Sequence, residues 1–378
     1  MNDFIERLKR DRLLQIIVGL FILMSIILFF IFRPIFFPKK ETKTNCYNEK
    51  IEIWLPFKED EIYSYLSPFT KYCVQFEITT KSLEEIKKDL IYSIARGDSP
   101  HVVFIDNDIL NQNKDLFATP TPILIDSLIA FYNQDILNFL NLQEPKTLDD
   151  LKNFIKEIRN YRQDFYPLGL GTKEIRHRKE ILLSLMSLQD DYQDKQKFTQ
   201  NFLSALKTYL SFSDPQSEFF SYSEDAGDDL LNFANQKSAL YIGFYQDKKE
   251  ILSINPRINL SYGILPLNTF PPKAKIYMKN FYLAQIKKKK SIAAKEFIQW
   301  FLRHQLKKFS QDFDLVPFVD DPDVLKEKKI VFDSVKNFGE TFDFLNKEKL
   351  FDNIDRILEV YRDESELRRI LEQIYHSL

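Results

Sequence analysis

The tripeptide Asp106-Asn107-Asp108 stands where an apolar run, His101 to Ile105, stops. Two carboxylates flanking an amide can accept hydrogen bonds from hydroxyl or amine donors, or they can cap a helix. His101 to Ile105 is apolar throughout, as a strand buried on both faces should be, which puts the tripeptide at a strand's carboxyl end. Open α/β sheets bind ligands in the crevice outside those ends. For Asp108 alone, capping is the simpler reading. A further carboxylate, Asp126, interrupts the apolar stretch ILIDSLIAFYN from Ile123 to Asn133. A charge there costs several kcal/mol unless it is paired or solvated, which favours a cleft. Trp54 stands next to last in the alternating run Ile51–Leu55 and offers a ring that either stacks on a ligand or fills a core. Asn280, inside Ile276–Ile286, is either a ligand contact or an edge-strand polar residue.

Several other chemistries find no support. His101, His177, His304 and His376 are scattered without ligand spacing, and the two cysteines share no metal motif with them. Gly169-Leu-Gly-Thr-Lys173 lacks the spacing of a phosphate loop, and no Gly-x-Ser-x-Gly elbow occurs. Neither a catalytic set, a metal site nor a cofactor is expected. A net charge of −2 gives no electrostatic case for nucleic acid. Arg96-Gly97-Asp98 resembles an adhesion signal, yet Gly97 falls where a helix should end, with Pro100 just beyond. Lys287 to Lys290 reads as a solvated turn.

These residues need elements to carry them. Ile51–Leu55 reads as a strand, Glu59–Tyr72 as a helix broken near Pro68, and Val74–Thr79 as a second strand. Ser82 and Glu85 form a capping box before a helix with Leu83, Ile86, Leu90 and Ile94 on one face. With the strand His101–Ile105 this is the opening of a doubly wound sheet. Further along, strands are expected over 123–133, 238–245, 262–267 and 276–286, and helices over 147–158, 174–235, 291–308 and 352–378. Abundant Phe (35) and Tyr (18) with scarce Gly (8) suit a packed, helix-rich body.

The first 50 residues read differently. Leu13 to Phe32 holds Gln15 as its one strongly polar residue and, at about 1.5 Å per residue, matches a bilayer core of roughly 30 Å. It lacks a small-residue cleavage site and exits into Arg33-Pro34, so an uncleaved anchor is expected. Basic residues flank it almost evenly; residues 1–12 are read as a cytoplasmic tail and 33–50 as a tether. Cys46 and Cys73 flank the first strand and helix, and form either a disulfide or two unrelated thiols.

In the order of its pieces the chain resembles the extracellular solute-binding proteins of ABC importers, family 1, the maltodextrin-binding type. LIYSIARGDSPHVVFIDND, ILIDSLIAFYNQDILNFLNLQEPKTLDDLKNFIKEI, FANQKSALYIGFYQDKKEI, YGILPLNTFPPKAKIYMKNFYLAQIKKKKSIAAKEFIQWFL and DFDLVPFVDDPDVL are similar to five of its segments, in sequence order. The resemblance implies a two-lobed α/β fold with hinge-crossing strands: lobe 1 at 51–122 plus 262–308, lobe 2 at 123–261 plus 309–378. It implies a carbohydrate-like solute, permease subunits as partners, and an extracytoplasmic body tethered to the lipid bilayer by Leu13–Phe32. A surface interaction or sensor domain that retains the fold without transport is the other implied role. It places Asp106 and Asn107 at ligand-bonding positions, Asp126 in the cleft wall and Tyr245 at a stacking position. Leu148 and Tyr245 stand where the family has Trp, and the stretch between Asp108 and Pro122 is shorter than the family's.

Overall fold

In the chain's computed structural model the residues described are 46–161, 165–189, 191–266, 274–321, 326–343, 347–361 and 364–375. The expected anchor, Leu13–Phe32, lies outside them. Among the described residues no helix is long and apolar enough to cross a membrane. Tyr47–Leu378 form a compact unit of their own.

The strands are β1 (Glu49–Leu55), β2 (Val74–Thr80), β3 (Val102–Asp106), β4 (Phe117–Asn133), β5 (Tyr166–Leu168), β6 (Ser238–Phe244), β7 (Leu260–Gly263), β8 (Ile276–Ile286), β9 (Val316–Pro317) and β10 (Gly339–Glu340). Seven helices precede residue 215 among the described residues: α1 (Glu59–Leu66), α2 (Leu83–Arg96), α3 (Asn107–Gln112), α4 (Gln134–Leu140), α5 (Leu148–Tyr161), α6 (Arg178–Met186) and α7 (Phe198–Leu210). Then come α8 (Asp229–Ala234), α9 (Asp247–Ile254), α10 (Ile292–His304), α11 (Leu306–Asp312), α12 (Lys329–Phe338), α13 (Lys347–Val360) and α14 (Glu364–Tyr375).

Local chemistry sets several of these ends. Ser82 accepts from Glu85 N while Glu85 accepts from Ser82 N, so α2 begins with the expected reciprocal cap. It ends at Gly97, whose φ of 85° is the left-handed region open to glycine, so Arg96-Gly97-Asp98 is a helix stop. The helix expected over 59–72 divides at Pro68: α1 stops at Leu66 and a 3-10 turn, Ser67–Tyr72, follows. The chain joins the sheet earlier than expected, since Tyr47 N already donates to Tyr72 O and Glu49 pairs with Val74. Residues 47–50, expected in the linker, are therefore part of the sheeted body. Both cysteines are disulfide-bonded.

The sheet runs β2-β1-β3-β8-β4-β6-β5. β1 is parallel to β2 and β3, as a doubly wound opening requires. β4 carries the chain between lobes. Its residues 117–127 pair with β8, and residues 128–133 pair with β6 and β7. β8 crosses back, with Ile276 and Tyr277 in the second-lobe core and Phe281 and Leu283 in the first. A third crossing follows α11: Phe313 and Leu315 pack in the first lobe, and Val316 in the second.

These cores move the expected lobe limits. Ile123 and Leu124 pack in the first lobe, because the strand continues past Pro122 before it crosses. Residues 262–266 and 274–277 belong to the second lobe, where Tyr262 pairs with Phe131 and Leu265 is buried in the core. Helix α11 and the segment to Leu315 belong to the first, since Phe309 and Phe313 pack edge-on against Phe57. The first lobe is thus about 47–124 plus 278–315.

Candidate functional site

Strand alternation decides where the expected ligand-facing rings point. In β1, Ile51, Ile53 and Leu55 face the core beneath α10, and Trp54 turns to the opposite core, beneath α2. Trp54 is 9% exposed, with Lys81 Nζ 4.0 Å above its ring. It is a first-lobe core residue, and the expectation that it stacks on a ligand is corrected. Tyr245 likewise lies in a second-lobe core, edge-on to Tyr262 at 5.4 Å. Its hydroxyl donates to Asp314 at 3.0 Å and accepts from Lys248 at 3.2 Å. Burial pushes its phenol pKa far up. Trp54 and Tyr245 therefore sit in separate cores and do not converge.

The carboxylates and amides are brought together more closely, though in structural roles. Asp106 is the N-cap of α3 and accepts from Ile109 N at 2.9 Å. Burial raises its pKa, opposed by that hydrogen bond. Asn107 Oδ1 accepts from Asn280 N at 3.1 Å, and its amide donates to Asp108 at 2.9 Å. So Asn107 ties α3 to β8 at Asn280, next to the irregular pairing between Pro122 and Leu124. Asn280 Oδ1 is buried with no hydrogen-bond partner among the described residues. Asp126 is fully enclosed: Oδ1 accepts from Ser127 N at 2.8 Å and Tyr245 N at 2.9 Å, and Oδ2 from Gln246 N at 3.4 Å. Burial pushes its carboxyl up to about 7, against these backbone donors. It satisfies the turn after β6 instead of lining an open cleft.

What does collect at the lobe junction is a band of charges. The carboxyl end of β3 pairs with β8 there, and Phe244 at the end of β6 lies under Lys279 of β8. Lys279 of β8 lies 4.2 Å above the Phe244 ring and 3.9 Å from Glu180 of α6. His177 packs edge-on to Phe244 at 4.9 Å, with Nε2 2.7 Å from Asp247 Oδ2. Asp247 also accepts from the Tyr241 hydroxyl at 2.8 Å and from Phe244 N at 3.0 Å. On the first-lobe side, Asp108 meets Lys347 of α13 at 2.5 Å. Lys347 also donates to Thr341 O at 2.6 Å and lies 5.2 Å from the Tyr277 ring. The band alternates cations and carboxylates above buried Phe244 and Tyr277. Such a surface offers donors and acceptors to a hydroxyl-rich solute.

Sequence reasoning missed this set. It chose Tyr245 where Phe244, one residue earlier and on the other face, reaches the junction. The period of two in β6 was the available signal. His177, Glu180, Lys279 and Lys347 carry no local motif, and only the tertiary fold assembles them.

No family model matches the chain, and no curated protein matches it in sequence. Solved structures do. The GacH receptor of Streptomyces glaucescens, determined unliganded and with acarbose, has a TM-score of 0.68 at 13% identity, covering 87% of this chain and 97% of that one. The sugar-binding protein MalE from Xanthomonas citri has a TM-score of 0.68 at 16% identity, covering 86% and 96%. An extracellular solute-binding protein from Staphylococcus aureus, solved with maltose, has a TM-score of 0.63 at 10% identity, again covering 86% and 96%. At these identities the likeness is one of fold. The chain folds as the maltodextrin-type solute-binding proteins of ABC transporters do.

Proposed function

We propose that this chain is the extracytoplasmic solute receptor of an ABC-type importer, tethered by Leu13–Phe32, and that it captures a small carbohydrate-like solute between its lobes. The observation that carries the reading is the junction itself. Crossing strands β4 and β8 join two separately cored lobes, and beside them stand Asp106 at the end of β3, Lys279 of β8, Glu180 of α6, His177 before it, and Asp247 of α9. A hinge flanked by two cores lets the lobes move as bodies while the strands bend. Alternating charges over buried rings suit hydroxyl groups better than an apolar ligand.

A second reading has an observation of its own. Lys347 already engages Asp108 from the opposite lobe, and Lys279 and His177 are each beside a carboxylate. A junction that satisfies itself suits a domain that has kept the fold and serves as a surface interaction or sensor module.

Thermal unfolding of the full chain with maltose, maltotetraose, mannobiose and acarbose separates the two. A receptor gains about RT ln(1 + [L]/Kd), or about 2.7 kcal/mol at a hundredfold excess over Kd. A melting shift with any of these sugars supports the receptor. Unchanged melting across all four at millimolar concentration rejects carbohydrate capture and leaves the interaction module.

A further inference from the structure

A groove of about 1070 Å³ opens on the second lobe between α5 and the segment 218–223, at the start of β5. It is separate from the lobe junction, because β5 enters at Tyr166 beside the groove and leaves at Leu168 toward Gly169–His177. One wall carries Lys152, Lys156 and Arg159. Spaced i, i+4 and i+7, they share one face of α5 over about 10 Å.

The charges on that wall are unequal in their pairing. Lys152 is held by Glu218 at 3.0 Å and lies 4.0 Å from Asp149. Those are the two carboxylates of the groove lining. Neither Lys156 nor Arg159, both exposed, has an ion pair among the described residues. Arg159 instead lies 5.0 Å over the Phe220 ring on the facing wall, which orders its guanidinium without neutralising it. The floor holds Tyr166 against Tyr222, ring centroids 4.9 Å apart. Asn153 and Asn160 add amide groups at the rim.

We infer that this groove is a second binding site, and that it takes an acidic saccharide bearing uronate-type carboxylates. Among the described lining residues three cations meet two carboxylates, both beside Lys152, so Lys156 and Arg159 leave a local positive excess, and a guanidinium fork matches a carboxylate in two-point geometry. The partly exposed Tyr166 and Phe220 rings and the amide rim fit sugar faces and hydroxyls, features an acidic peptide does not need.

The test is calorimetric titration of the full-length protein with tetragalacturonate, its methyl ester and tetraglutamate. Tetragalacturonate should bind, more weakly as salt rises. Lys156→Glu combined with Arg159→Glu should weaken it at least tenfold without changing the melting temperature, since both side chains are exposed. Lys156→Gln alone should weaken it at least threefold. The ester and tetraglutamate should bind at least tenfold more weakly. Absence of tetragalacturonate binding, equal binding of the ester or of tetraglutamate, or indifference to the substitutions would overturn the assignment.

Discussion

Asp126 is a carboxyl taken out of water and held by three backbone N–H groups, two of them from the turn after β6. Asp126→Ala should therefore cost about 2–4 kcal/mol, because Tyr245 N and Gln246 N lose their acceptor in a buried setting. Equilibrium unfolding checks this, and a loss below 1 kcal/mol contradicts it. The pH behaviour has a definite sign. Burial holds the folded Asp126 pKa near 7, above the ordinary carboxyl value of about 4, so between roughly pH 4 and 7 the folded state binds the extra proton. Its contribution is full below the lower value and is lost as pH rises toward 7. Asp229, also raised to about 7 by burial, acts in the same direction. Asp126→Asn should accordingly reduce, without abolishing, the fall in stability across that window. The sequence announced that Asp126 needs partners, since a charge among Ile123–Asn133 cannot stand alone. Which partners it would find was not legible, because Tyr245 and Gln246 are remote in sequence and meet it only when β6 docks on β4. Trp54 stayed open between ligand and core for a related reason: alternation along β1 gives two faces, and only the packing of α2 and α10 says which is which.

At the scale of elements, strong local rules made the first lobe readable. Ile86, Leu90 and Ile94 form the buried face of α2, and the cap, the glycine stop and the parallel order of β1, β2 and β3 all follow from sequence-local signals. Ser82→Ala should cost about 1 kcal/mol, since it removes the acceptor for Glu85 N. Gly97→Ala should cost a similar amount, about 1 kcal/mol, from its left-handed backbone alone, as nothing lies within 4 Å of the added carbon. Chemical denaturation of both variants tests the pair, and neutrality at either contradicts the assigned cap. The disulfide closes a loop of about 27 residues around β1 and α1, so reduction should destabilise the body by roughly 3 kcal/mol. Melting with and without reductant reads this directly. Boundaries between lobes were less legible, because β4 and β8 keep one unbroken strand pattern while passing from one core to another. No composition change marks the crossing.

At the scale of the molecule, two cored lobes share crossing strands and a junction in which Lys347 reaches Asp108. Lys347 is 7% exposed, so removing its charge leaves Asp108 facing an uncompensated site. In the receptor reading this contact holds the unliganded lobes at a set distance and yields to ligand. Lys347→Ala should then widen the distribution of lobe separations without unfolding the chain. The most direct measurement is single-molecule energy transfer between dyes at residue 88, on exposed α2, and residue 207, on exposed α7, with saccharide added. A hinged receptor gives one separation in buffer, a discrete shift to another with a binding sugar, and a broadened unliganded distribution in Lys347→Ala. A single separation unmoved by maltose, maltotetraose, mannobiose or acarbose, in wild type and variant alike, would contradict a hinged receptor.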